Sequence, residues 1–103
     1  KNVEKVIGTN VKSGKKVDFP TDGVFIFIGL KPNTGFLKDS GIELDETGFV
    51  ITNDKLETAV DGIFAAGDVR SGATMQIASA VGEGATAALR IREHIEAHNR
   101  ASK

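Results

Sequence analysis

The sequence predicts an α/β fold with an N-terminal β-hairpin, short strands and one long C-terminal helix. Three observations carry that reading. Residues 3–20 hold two β-favouring runs around a Lys12-Ser13-Gly14 turn signal. Residues 24–30, VFIFIGL, are apolar without polar alternation, the pattern of a short strand covered on both faces. From Thr74 onward, Ile77, Val81, Gly84, Ala88, Ile91 and Ile95 recur at steps of four and three, the period of an amphipathic helix.

Taken in order, Val3 to Val11 and Lys15 to Pro20 read as the two arms of the hairpin. The apolar strand at Val24 follows and ends in a loop at Gly29, Pro32, Asn33 and Gly35. Phe36 to Gly41 can form one helical turn stopped by Gly41. Ile42 and Leu44, then Phe49 and Ile51 after a turn at Glu46 to Gly48, predict a small strand pair. A second buried strand is expected at Gly62 to Asp68, GIFAAGD, and the helix is expected to run from near Thr74 to about His98.

Composition bounds the class. The 103 residues are 40% hydrophobic and 26% charged, the profile of one soluble globular domain. The longest apolar run is far shorter than the roughly 18–20 residues of a bilayer helix. Cysteine is absent, which removes disulfides, thiolate metal sites and a Cys nucleophile and fits a reducing, cytoplasmic setting. Trp and Tyr are absent as well, leaving six Phe, so the core must come from Ile, Val, Leu and Ala and is expected to be thin. The first residue is Lys rather than Met, which suggests a processed chain or a piece of a longer one.

The net charge of −1 gives no reason to expect nucleic acid or a membrane as partner. Its distribution is uneven. Seven Lys face Glu4, Asp18 and Asp22 in residues 1–38, whereas eight acids face Lys55 alone in residues 39–68. Two solvated faces account for that pattern.

Candidate chemistry centres on Asp68. A strand ending at Gly67-Asp68, a short loop and a helix start put a carboxylate beside free helix N–H groups, the place where open α/β sheets bind ligands. Asp68 can accept hydrogen bonds from sugar or polyol hydroxyls, or it can simply cap the turn; both readings stay open. Gly82-Glu83-Gly84 imitates a dinucleotide fingerprint, but it lies inside the helix rather than at its start, so the match is set aside. Its small residues are expected to admit another backbone or a flat ligand. His94 and His98 share a helical face but lack a third ligand for a metal. Glu43, Asp45 and Glu46 have no nucleophile nearby, which argues against a catalytic acid pair.

The run ETAVDGIFAAGDVR, Glu57 to Arg70, resembles the second flavin-contacting motif of the flavoprotein reductases with two dinucleotide-binding domains. VFIFIGLKPNT, Val24 to Thr34, is similar to their return from the NADPH domain to the FAD domain. MQIASAVGEGATAA, Met75 to Ala88, is similar to the following helix in the bacterial-type, low-molecular-weight thioredoxin reductases, of the class II pyridine nucleotide-disulfide oxidoreductases. The three motifs stand in the family's order over roughly residues 3–97.

The resemblance implies part of a three-layer FAD/NAD(P)-binding fold. Residues 1–23 would be the closing hairpin of the NADPH domain and residues 24–103 the C-terminal part of the FAD domain. It implies FAD as cofactor, with Asp68 accepting from its hydroxyls and Gln76 and Ile77 lying against the isoalloxazine ring. Thr58 and Gly67 would shape the strand turn. The family commonly has Arg where this chain has Met75. The pyrophosphate-binding glycines, the NADPH fingerprint and the redox C-x-x-C of the family are not in these residues.

The expected role is therefore the FAD-binding C-terminal portion of an NADPH-dependent thioredoxin-disulfide reductase, incomplete by itself, with thioredoxin or a similar disulfide protein as partner of the whole. Apolar surface left open would drive homo-oligomer formation. Two other classes compete: a non-catalytic interaction module, and a relative of the ferredoxin- or NADH-linked flavin reductases. A C-x-x-C upstream of Lys1 would separate the thioredoxin reading from both.

Overall fold

A computed structural model describes residues 2–102. Strands β1 (Lys5–Thr9) and β2 (Lys16–Pro20) pair antiparallel, with Lys5 opposite Pro20 and Thr9 opposite Lys16. The turn is built locally. The Asn10 side-chain oxygen accepts the N–H groups of Lys12 and Ser13, each at 3.0 Å, and Gly14 takes φ +69°, a conformation that costs an L side chain but not glycine. Gly8 lies under the Phe19 ring, where a Cβ would come within 3.2 Å of it.

The strand expected at Val24–Leu30 does not form. No described residue hydrogen-bonds that backbone, and its side chains lie open, Phe27 at 88% and Ile28 at 90% exposure. An apolar β-forming run becomes a strand only when a neighbour takes its N–H and C=O groups, and the described residues bring none alongside. Phe25 and Phe27 stack on each other instead, centroids 6.2 Å apart.

Residues 34–71 are a compact knot of turns rather than a sheet. The turn expected at Phe36–Gly41 is a short 3-10 helix at Gly35–Leu37, and the chain then reverses through Gly41 at φ +84°. The strand pair expected at residues 42–51 reduces to one bridge between Leu44 and Val50, and the single buried strand expected at Gly62–Asp68 to a bridge between Phe64 and Glu57. Val50 also bridges Arg70 in parallel. Among the described residues the buried apolar side chains are Val50, Leu56 and Ala87, so the thin core expected from composition is observed. Thr34 is buried too, and its hydroxyl donates to the Gly48 carbonyl at 2.6 Å.

Helix α1 runs from Ile77 to Ala101, three residues later at each end than the period suggested. Met75 at φ +60° and an extended Gln76 break the backbone just before it. Its apolar stripe is largely uncovered, with Ile77 at 86% and Val81 at 68% exposure. No described residue lies within 4 Å of a Cβ at Gly82 or Gly84, so the close approach expected there is not made among the described residues. The helix docks on the rest through Ala80 against Gly67 and through His94 edge-on to Phe64, centroids 6.0 Å apart.

Candidate functional site

Gly67–Val69 forms one turn of 3-10 helix with Asp68 at its exposed centre. Gly67 is buried at φ +78°, and a Cβ there would meet the Ala80 Cβ at 3.3 Å. Glycine is thus required twice, by backbone conformation and by the approach of α1. On its other flank the turn is zipped to Val50: Val50 N–H donates to the Val69 carbonyl and Ser71 N–H to the Val50 carbonyl, both at 2.8 Å.

The Asp68 carboxylate has no hydrogen-bond partner among the described residues. The capping alternative therefore finds no bond to support it. Asp68 lines a cleft with Leu30, Lys31, Pro32, Asn33, Phe49 and Val69, so the turn after the exposed apolar segment and the Asp68 turn meet there.

Gln76 is the N-cap of α1 but makes no side-chain cap bond, and the first helical N–H groups, at Ile77 to Ser79, have no partner within the helix. Gln76 and Ile77 are both exposed. Of the expected site residues only Asp68 lines that cleft; Gly67 touches α1 at Ala80, four residues past Gln76. Thr58 is not part of that cleft: its hydroxyl donates to the Val60 carbonyl, and it borders other cavities beside Phe64.

Two residues that the sequence reading passed over tie the turn to the helix. Glu83 Oε2 accepts the Gly67 N–H at 2.7 Å and Arg70 Nε at 3.0 Å, while Oε1 accepts Arg70 Nη2 at 2.6 Å. Arg70 Nη1 donates to the Thr52 hydroxyl at 2.9 Å. The Arg70 guanidinium, with the Gly67 amide second, holds the Glu83 carboxyl below its ordinary value, and Glu83 in turn raises Arg70. A signal was present: Glu83 is the one charged residue between Arg70 and Arg90, in a stretch otherwise made of small, polar and apolar side chains.

The acidic turn also differs from expectation. Asp45 is not isolated from hydroxyls; it accepts Ser71 Oγ at 2.6 Å and Thr47 Oγ1 at 2.8 Å. It serves as a staple between that turn and the loop after Arg70. His94 and His98 stack with centroids 6.3 Å apart, and no group of three metal-ligating side chains occurs among the described residues. No helix of the described residues is long and apolar enough to cross a membrane.

Residues 1–84 match the family model described as pyridine nucleotide-disulphide oxidoreductase. The chain belongs to that family. Within it, the chain is 44% identical over 84 residues to a thioredoxin reductase of Bacillus subtilis (strain 168), covering 82% of this chain and 26% of the relative. It is 42% identical over 93 residues to a 34.2 kDa protein in the rubredoxin operon of Clostridium pasteurianum, covering 90% and 30%. Among solved structures, T. acidophilum thioredoxin reductase superposes with a TM-score of 0.76 at 46% identity, over 91% of this chain and 30% of that one.

The chain therefore spans about 30% of the length of such pyridine nucleotide-disulphide oxidoreductases. The hairpin and the long helix are elements of their FAD/NAD(P)-binding fold, as the resemblance implied. The family implies a flavin cofactor, and the residues present suit one: an unpaired carboxylate for hydroxyls, free helix amides for an electron-rich ring edge, and a glycine that keeps the turn close to the helix.

Proposed function

We propose that this chain supplies one wall of the FAD site in an NADPH-dependent disulfide reductase of the thioredoxin reductase type. One observation carries the reading. An exposed Asp68 without an intramolecular partner among the described residues sits on a turn packed against the N-terminal half of a helix whose first amides are free. An acceptor and donors are thus offered on two elements in contact, to a ligand bearing both hydroxyls and carbonyls.

When bound, FAD supplies the two-electron chemistry that links NADPH to a disulfide. The chain's own residues would bind and orient. Asp68 would accept from ribityl or neighbouring hydroxyls, and Gln76 and Ile77 would border the ring. The positive end of α1 would favour negative charge on the nearby ring edge. Thr58 would support the turn preceding the motif from outside the cleft, and Met75 sets the bend before the helix but brings no cation there. Residues 1–23 would close an NADPH-binding domain and residues 24–103 an FAD-binding domain, in a cytoplasmic protein whose partner is thioredoxin or a similar disulfide protein.

Titrating FAD into the chain while following backbone amides by NMR tests the wall directly. The resonances of Asp68, Gln76 and Ile77 are expected to move and those of the hairpin to stay, with the shifts much reduced in Asp68→Asn. FAD that moves none of the three overturns the reading. With no Trp or Tyr in the chain, retained flavin would also dominate the near-ultraviolet spectrum. The open apolar segment at Val24–Leu30 favours a second reading, an interaction module that associates through that surface.

A further inference from the structure

We propose that Glu83 is a positioning residue: its carboxylate fixes the register between the turn that carries Asp68 and the N-terminal half of α1. The identity of the ligand in this inference rests on the flavin reading above; the clamp itself rests on geometry alone.

Helix α1 grips Gly67 twice from one face. Ala80 packs on the space where a side chain would be, and Glu83, three residues on, takes the Gly67 N–H at 2.7 Å. Residues three apart on a helix share a face, so both contacts press the same peptide. The remaining valences of the carboxylate go to Arg70, which leaves the turn on its far side and reaches on to Thr52. Asp68 is therefore bracketed: Gly67 before it and Arg70 after it are bonded to one carboxylate on the helix.

An ion pair formed only for stability would need Arg70 and Glu83 and nothing else. Here one carboxylate oxygen is shared with a backbone amide adjacent to the candidate ligand-binding residue. That bond has no bearing on pairing but restricts the rotation of the Asp68 peptide relative to the free amides at Ile77 to Ser79. Charge-assisted bonds of this kind are shorter and stronger than neutral ones, so the spacing between acceptor and donors is held before any ligand arrives.

The test uses the chain with Glu83→Gln, which keeps the shape and removes the charge, and Arg70→Lys, which keeps a cation and leaves the Gly67–Glu83 bond in place. Residue-resolved amide exchange in Glu83→Gln is expected to accelerate at Gly67 by roughly tenfold, while Val50 and Ser71, bonded on the opposite flank, keep their protection. Arg70→Lys is expected to keep Gly67 protected. In FAD titrations Glu83→Gln is expected to bind roughly tenfold more weakly with Asp68 intact, and Arg70→Lys, which loses the two-pronged contact on Glu83 but not the Gly67–Glu83 bond, to weaken binding less than Glu83→Gln does.

Unchanged exchange at Gly67 in Glu83→Gln overturns the clamp. So does an equal acceleration at Gly67, Val50 and Ser71, which would mark a stability effect alone. Faster exchange at Gly67 with unaltered FAD affinity overturns the positioning role. If FAD moves no resonance of the unaltered chain, the flavin reading fails, and the exchange pattern still decides the clamp.

Discussion

Asp45 illustrates how much one side chain can organise here. The Ser71 hydroxyl first, and Thr47 second, hold its carboxyl well below the usual aspartate range. A carboxyl depressed on folding contributes stability that is complete above its unfolded value, near 3.8, and is lost as pH falls toward the folded one. Urea midpoints are therefore expected to drop below about pH 4, and to drop less in Asp45→Asn, which starts from a lower midpoint at pH 7. Glu83, lowered chiefly by Arg70, adds to the same acid loss. Leu56 makes a different case, buried to 5% exposure at φ +65°. Leu56→Ala is expected to cost about 2 kcal/mol in chemical unfolding through lost burial. Glycine normally costs up to ~1 kcal/mol more than alanine through backbone entropy, but at this left-handed position relief of strain offsets it, so Leu56→Gly should unfold close to Leu56→Ala.

At the level of elements, Gly82 and Gly84 stand in the interior of α1 with open space beside them. Replacing each with Ala is expected to raise helix stability by about 1 kcal/mol, read as a higher thermal midpoint by circular dichroism at 222 nm. A fall in the midpoint would mean that another surface already packs there. The hairpin and α1 were legible in the sequence because their signals are local: a turn nucleated by Asn10 and Gly14, and a period that needs only consecutive residues. Val24–Leu30 was misread because a strand is a relation between two segments, and the apolar pattern records only one of them. At the site, Asp68 and the helix start could be read as neighbours in sequence. The Glu83–Arg70 bonds join residues 13 apart and depend on how the helix docks, which no periodicity encodes.

As a whole the chain is extended, 73 by 27 by 25 Å with a radius of gyration of 21.3 Å, where a compact domain of this length has about 13 Å. Among the described residues the hairpin shares no backbone hydrogen bond with the turns at 34–71. Phe25, Ile26, Phe27 and Ile28 lie 79–90% exposed in one run, a contiguous apolar stretch of the kind that marks an association surface. Light scattering over a concentration series is expected to show a mass that rises with concentration, and Phe25→Lys combined with Phe27→Lys to suppress the rise. A monomer at every concentration would exclude association through this segment.

The docking of α1 has a mechanical consequence. The helix meets the Asp68 turn near one end, at Ala80 and Glu83, and runs on to Ala101 about 30 Å away at 1.5 Å per residue. The second contact, His94 edge-on to Phe64, lies about 20 Å along the helix from Ala80, so α1 is held at two points rather than at one. A beam held at two points passes a displacement of the turn to its far end only if the His94–Phe64 contact slips, and a spin label near Arg100 would read that slip.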